Sequence, residues 1–431
     1  MATPTNVVAT TCPPHYLPPD PHRPVVRLAF TLPSSRQNIT GTESITFRPD
    51  RAVDDIVLRL WANNPQTVQY GGRLKATHVS ADGMTSYDVT SDNTLLRIRL
   101  ARRVRAGTTL HARLGFTLAL PVGFSDRYGT RVDATWWGTG FPLLSYVRGE
   151  GYATEPPTSL FAETATSEEF RLADLAVTAP AGDTVIASGT PGPRHGNTWH
   201  FSAASVRDVA VASGHFRLAH ARASGVPVTV GVTGSLPDSA ATVARVITAG
   251  VRDHVRRLGP FPYAQLNVAV VPDVHGGIEY PGQIFLGTHQ LDATPSHEVG
   301  HEWFYGLVGD DQARDPWLDA AFATYVEALH RDSGGYYAGA PIPPAGRDRV
   351  GAPMTYWEKY GESTYFRSVY LQGATALLQA RQASGTTSFD RAIRCYVNAA
   401  AHRVARPAEL SAALRHLPAA LAVLRRAGAF G

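Results

Sequence analysis

Ser296-His297-Glu298-Val299-Gly300-His301-Glu302-Trp303, joined further on by Pro316-Trp317-Leu318-Asp319-Ala320-Ala321-Phe322-Ala323-Thr324-Tyr325-Val326-Glu327, is the stretch from which the rest of this chain can be read. Its first half is an H-E-x-x-H pattern. On a helix His297 and His301 stand at i and i+4, one above the other on a single face. Two imidazoles so placed can share one zinc ion, with Glu298 projecting beside them toward a metal-bound water. Zinc lowers the pKa of that water toward ~7, and a nearby carboxylate can take the proton. The five-residue pattern alone also occurs on helices that bind nothing, so its weight comes from the residues downstream, Trp303 to Glu327.

Taken with that downstream run, the stretch resembles the zinc aminopeptidases of the aminopeptidase N family, which are gluzincin metallopeptidases. The family pattern runs H-E-x-x-H-x-W-F-G and then W-L-N-E-G-F-A-x-Y-x-E. Here it reads His297-Glu298-x-x-His301-x-Trp303-Phe304, then Trp317-Leu318-Asp319-Ala320-Ala321-Phe322-Ala323-x-Tyr325-x-Glu327. The resemblance implies that His297 and His301 bind Zn²⁺, one ion per chain, and that Glu298 is the general base. It fails at one position. The glutamate of W-L-N-E-G is the family's third zinc ligand, and here that place is Ala320. A methyl group binds no metal. Asp319 is the nearest carboxylate, but one residue along a helix is a turn of about 100°, so it is expected to point elsewhere. Disturbing even a group behind a metal ligand typically costs ~10–100-fold in affinity or activity, so losing a ligand should cost more. Ala320 thus marks either a relative with a crippled or altered site or a chain made inactive on purpose.

Two further segments extend the resemblance. Gly276-Gly277-Ile278-Glu279-Tyr280 resembles the family's G-x-M-E-N, with Tyr280 replacing the asparagine. Glycines let the backbone lie close to a substrate. The family's glutamate, here Glu279, is then expected to hold the substrate's α-ammonium, which fixes the distance to the scissile carbonyl. Tyr370-Leu371-Gln372-Gly373 resembles Y-x-K-G, with Gln372 replacing the lysine. Its tyrosine is implied to stabilise the oxyanion, a task suited to an uncharged donor; Tyr365 is a nearby competitor. His275, His289 and His330 lie near these motifs and read as loop or surface histidines. Were one a substitute ligand, the site would be a three-histidine one, which zinc accepts.

Composition sets bounds. The chain has 431 residues, 44% of them hydrophobic and 18% charged, as in an ordinary globular protein of two or three domains. A formal charge of +4, nearly all of the basic part arginine, is too mild to imply nucleic acid. The arginines of the tail, from Arg394 to Arg426, read as a solvated face. No apolar run approaches the ~18 residues that span a membrane. The first twenty residues lack a basic start and an apolar core, so they are not a signal peptide. The expected location is therefore cytoplasmic, or secreted if an export signal has been removed. Cys12 and Cys395 do not by themselves suggest a disulfide, and two thiols at this spacing make no metal site.

The expected fold class is α+β. Residues 1–21, rich in Pro and Thr, read as a disordered leader. Residues 22–216 read as an antiparallel β domain, from short alternating runs such as Val25–Leu32, Ile56–Trp61 and Leu95–Leu100. The resemblance implies a saddle shape for it. Residues 217–431 read as a thermolysin-like, mainly helical domain. It begins with an amphipathic helix capped at Asp238 or Ser239, carries a buried strand at Leu266–Val271 and ends in two helices after about 386. Nothing is left over for the large C-terminal helical domain of many family members. The residues support three functional readings. The first is a zinc metallopeptidase acting on peptides with a free N-terminus, weakened or silenced by Ala320. The second is a catalytically dead peptide-binding protein on the same fold. The third is a metal-independent enzyme using Glu298 and Tyr370 as base and acid. Oligomeric state is not legible.

Overall fold

The computed structural model describes residues 12–90, 92–123, 126–158, 160 and 166–430; residues 1–11 of the expected leader lie outside them. The first half of the chain is built from sheets. Seven strands pair in the order Thr190–Pro191, Thr198–Val206, Phe170–Thr178, Val25–Thr31, Asn38–Phe47, Leu110–Ala119 and Arg73–Ala81. Their inward residues alternate: Val26, Leu28 and Phe30 of one strand are buried, while their neighbours are partly or fully exposed. A four-stranded sheet containing Val53–Arg59 and Leu95–Val104 packs into the same core. The expectation of a purely antiparallel domain needs one correction. Val25–Thr31 and Phe170–Thr178 pair in parallel, in a register running from Val25 beside Arg171 to Thr31 beside Thr178. A parallel pair needs a long crossover, and here it spans well over a hundred residues, beyond the reach of any local pattern.

The second half begins with a five-stranded sheet ordered Phe216–Ala223, Val226–Thr233, Leu266–Val270, Gln283–Leu286 and Gly277–Tyr280. The three middle strands run parallel, and the outer strand at each edge is antiparallel to its neighbour. Helix α1 (Ala240–Leu258) buries Val243, Ile247, Val251 and Leu258 against this sheet and stops at Gly259, whose φ of +114° suits glycine. Ser239 is its N-cap residue without a side-chain bond; Asp238 instead accepts from the Thr288 hydroxyl at 2.5 Å. Helices α2 (Thr294–His301) and α3 (Trp317–Arg331) come next. Beyond residue 386 there are three helices rather than two: Thr386–Ala400, Pro407–Ala413 and Pro418–Arg426.

The described part of the expected leader is tied to the helical half. Cys12 is disulfide-bonded to Cys395, which lies in the helix Thr386–Ala400. Leu17 N–H donates to Asn398 O at 3.0 Å, and Asn398 Nδ2 donates to Pro13 O at 2.8 Å. The Tyr16 hydroxyl donates to Pro260 O at 2.6 Å and accepts from Trp303 Nε1 at 2.9 Å. Low sequence complexity concealed this, because the segment has no periodicity and borrows its order from the surface it crosses. Among the described residues no helix is long and apolar enough to cross a membrane.

The cross-link joins cysteines separated by 383 positions. Replacing both Cys12 and Cys395 by serine is expected to lower unfolding stability by about 2–5 kcal/mol. Denaturant unfolding under non-reducing conditions measures it. Wild-type protein kept under reductant should show the same loss.

Candidate active site

Glycine sets how closely the two helices carrying the motif approach. A Cβ on Gly300 would lie 2.8 Å from Val326 Cγ2 and 3.2 Å from Ala323 Cα, so α2 meets α3 at backbone contact. Below α2, His254 of α1 hydrogen-bonds through Nε2 to Ser296 O at 2.8 Å, pinning the first turn of the motif. Burial drives the pKa of His254 down to about 4, so it is neutral and serves as structure. At the other end Glu302 Oε2 accepts from Gly282 N–H at 2.9 Å, tying α2 to the turn before strand Gln283–Leu286.

The two histidines converge. His297 Nε2 and His301 Nε2 are 3.0 Å apart, and the rings cross at 80°. The other nitrogen of each faces a carboxylate. His301 Nδ1 pairs with Asp319, whose second oxygen accepts from the Gln312 amide. His297 Nδ1 lies 3.5 Å from Glu327 Oε2, and Tyr337 donates to the other Glu327 oxygen. Thr324 Oγ1 is also 3.5 Å from His297 Nδ1 and donates to Ala320 O at 2.8 Å. Ala320, Thr324 and Glu327 share one face of α3 by their i, i+4, i+7 spacing. Asp319 is turned away from that face, as the helical angle implies, and reaches the far nitrogen of His301 instead.

Strand Gly277–Tyr280 is the edge of the sheet and closes the other side. A Cβ on Gly277 would sit 2.4 Å from Glu298 Cγ, so the glycine is what lets Glu298 lie against the strand. Gly276, at φ +87°, makes the bend that enters it. Glu279 is buried, and its Oε1 lies 3.4 Å from Nη2 of Arg127, a residue of the N-terminal half. Arg127 also donates to the Tyr280 hydroxyl at 3.3 Å and lies over its ring. Tyr280 fits there because position 138 is glycine; a Cβ would come within 1.9 Å of its Cζ. Tyr370 stands in a π-helical turn, Phe366–Gln372, its ring parallel to His297 at 5.8 Å. Such turns are frequent at functional sites. Tyr365 packs edge-on against Tyr370 and is buried. Gln372 turns away and bonds Gly346 O and Asp348 N–H.

Electrostatically the site is crowded with acid. Burial, then the charge of Glu279, pushes Glu298 well above the usual carboxylate range. Glu279 is itself buried, but Arg127 and then His301 outweigh that and hold it below the usual value. Burial pushes Asp319 well up. His297 is pushed down, mainly by burial. Glu298 Oε2 is buried without a hydrogen-bond partner. Glu279, Glu298 and His301 offer ligand atoms that all lie within 4.8 Å of one another.

These residues fit a divalent metal ion. Two nitrogens at ~2.0–2.1 Å from one ion in tetrahedral geometry are ~3.3 Å apart, so the observed 3.0 Å needs only a small adjustment. Carboxylates behind both imidazoles orient them as metal-ligating histidines are oriented. Position 320 gives no ligand. His275 and His289 are exposed, and His330 is turned to Asp253 at 3.5 Å, so none of the three stands in for it. Sequence reading did not find Arg127, Gln312 or Tyr337, which lie on other segments. The roles of Asp319 and Glu327 were visible only as members of a pattern.

One helix carries both histidines, beside a mixed sheet with an antiparallel edge strand, and comparison with solved structures gives the fold. The fold is that of the M1 zinc metallopeptidases. The M1 zinc metallopeptidase of Deinococcus radiodurans superposes with a TM-score of 0.69 at 20% identity, over 94% of this chain and 92% of that one. Its E323A mutant bound to a Tyr-Ser-Ala substrate gives 0.68 at 19% identity, over 94% of each chain. In sequence, the chain is 31% identical over 81 residues to aminopeptidase O of Mus musculus; the match spans 17% of this chain and a tenth of that relative. No family model matches the chain.

Gly277→Ala should force Glu298 away from the strand. The expected loss is about 1–3 kcal/mol, in the range for overpacking a filled interior, read by denaturant unfolding. A wild-type midpoint would mean that Glu298 does not occupy this position.

Proposed function

We propose that this chain is a metallopeptidase of the aminopeptidase type, directed at the free N-termini of peptides, whose hydrolytic power is weak or lost because Ala320 stands where a metal ligand belongs. The observation that carries the reading is the convergence of His297 and His301 Nε2 at 3.0 Å with a carboxylate behind each ring. His297 and His301 would hold the ion. A bound zinc ion supplies Lewis acidity at the scissile carbonyl. The rest falls to side chains of this protein. Glu279 attracts the substrate's α-ammonium and so limits cleavage to the first residue. Glu298 takes the proton of the attacking water and passes it to the leaving amine. Tyr370, beside His297, donates to the developing oxyanion without adding charge.

The second reading is a peptide-binding protein without catalysis; in either reading an incoming ammonium competes with the Arg127 guanidinium for Glu279. The Cys12–Cys395 disulfide favours the exported alternative over a cytoplasmic one, because disulfides persist in oxidising compartments.

Restoring the ligand is the decisive test. Ala320→Glu is expected to raise hydrolysis of aminoacyl amides at least ~100-fold over the wild-type chain in the presence of zinc, and Glu298→Gln in that background should abolish the gain. Should Ala320→Glu bind zinc and remain inert, with peptide binding intact in both chains, the binding reading replaces the catalytic one. A second expectation concerns Glu279→Gln in the Ala320→Glu background. It should raise KM for unblocked substrates and shrink the preference over N-acetylated ones, as measured by parallel kinetics on the two.

A further inference from the structure

Tyr16 reaches from the N-terminal segment to the helix that carries the histidines. Its hydroxyl donates to Pro260 O at 2.6 Å and accepts from Trp303 Nε1 at 2.9 Å. Burial pushes its pKa up to about 12, so the phenol keeps the proton it donates. It fits because position 259 is glycine: a Cβ there would lie 2.9 Å from the hydroxyl. Trp303 is fully buried just past the end of α2, and its N–H donates to Gly300 O at 3.1 Å, where α2 meets α3. Its ring packs edge-on against Phe261 at 5.5 Å and against His254 at 6.1 Å. His254 is the group that holds Ser296 O in the first turn of α2. One indole thus connects Tyr16 to both ends of α2. What keeps Tyr16 in place is the attachment of its segment to the helix Thr386–Ala400: the Cys12–Cys395 bond and the two hydrogen bonds of Asn398 with Pro13 O and Leu17 N–H. Cys12 is exposed, so a small thiol can attack the disulfide.

We infer that Tyr16 is a positioning residue for the His297–His301 site and that the Cys12–Cys395 bond sets it: the oxidised chain fixes α2 through Trp303, and the reduced chain lets α2 loosen. Thiol–disulfide exchange interconverts the two forms. As the bond forms, the two cysteine thiols pass two electrons and two protons to a partner disulfide, whose own S–S bond breaks to leave a dithiol. The reverse reaction consumes a dithiol and returns both cysteines as thiols. Once the segment is released, the Trp303 indole N–H is a buried donor without its acceptor, which costs free energy unless the indole shifts. A shift of the indole moves Phe261 and His254 with it and removes the restraint on both ends of α2. The two imidazoles then lose their fixed separation, and with it affinity for an ion held between them. The metal site is thereby completed in the oxidising compartment where the disulfide persists. This rests on the metallopeptidase reading only for the nature of the ion.

Two measurements on the full-length chain test this. The first is amide hydrogen exchange of metal-free protein, read by mass spectrometry in α2 and, as a reference, in the strand Leu110–Ala119. Four samples are compared: the oxidised chain, the chain reduced and then alkylated with iodoacetamide, the double variant Cys12→Ser with Cys395→Ser, and Tyr16→Phe with the disulfide intact. Reduction and the double serine variant should speed exchange in α2 by at least ~tenfold more than in the reference strand. Tyr16→Phe should speed α2 while leaving the reference strand unchanged. The second measurement is Zn²⁺ affinity by competition with a chelating dye. It should fall at least ~tenfold on reduction and in Tyr16→Phe. An equal rise in exchange in α2 and in the strand would make the disulfide a source of general stability and overturn the inference. So would unchanged protection of α2, wild-type protection in Tyr16→Phe, or zinc bound equally tightly by the oxidised and reduced chains. Failure of the proposed function reads differently. Absence of zinc binding in every sample, with α2 loosened by reduction and by Tyr16→Phe, would sink the metallopeptidase reading and leave the positioning role standing.

Discussion

Everything at the site depends on the contact between two helices at Gly300. With no side chain there, α2 lies against the backbone of α3 at Ala323 and against Val326. That distance decides which residues of α3 can address the histidines. At a wider separation Glu327 and Asp319 would fall short of the imidazole nitrogens, and the two rings would lose the partners that fix their tautomers and orientation. The clamp from His254 to Ser296 O and the bond from Gly282 N–H to Glu302 hold α2 at both ends, so the crossing cannot slide. The two imidazoles are thus positioned by contacts within the scaffold.

That separation of roles explains how the fold tolerates Ala320. Alanine is the best helix former, and here it is buried in a helix flanked by Trp317, Phe322 and Tyr325. A carboxylate buried at such a place would carry a desolvation penalty that only a bound cation offsets, and alanine carries none. The remaining acids show the same tension. Burial pushes Glu298 and Asp319 up, whereas Glu279, with Arg127 close by, stays low.

Much of this was legible from residues alone. The H-E-x-x-H spacing put His297 and His301 on one face, the alternation of Val25–Leu32 and its companions gave strands, and the four-residue spacing from Val243 to Val251 gave α1. The face of α3 that meets the histidines follows from helical geometry, as does the turning away of Asp319. The features that stayed hidden share one physical cause. Periodicity reports which side of an element is buried, not which distant element buries it. Hence Arg127, which arrives at Glu279 from 152 positions away, could not be foreseen. Nor could the parallel pairing of Val25–Thr31 with Phe170–Thr178. The ordered path of residues 12–22 was missed because it has no pattern of its own and is held by Cys395, Asn398, Pro260 and Trp303.

Arg127 has a further consequence for how the two halves of the chain work together. It comes from the β half and reaches Glu279 and Tyr280 on the edge strand of the other half, where Gly138 makes room for the tyrosine ring. In the resembling family an asparagine comes after the glutamate. Here a tyrosine does, and its hydroxyl helps to hold the arginine in place. A guanidinium fixed beside Glu279 offsets part of the negative charge on that edge of the site. Tyr280 and Ala320 thus bear on different parts of the site, the first on the arginine that reaches Glu279 and the second on the face of α3 that carries Thr324 and Glu327 to His297.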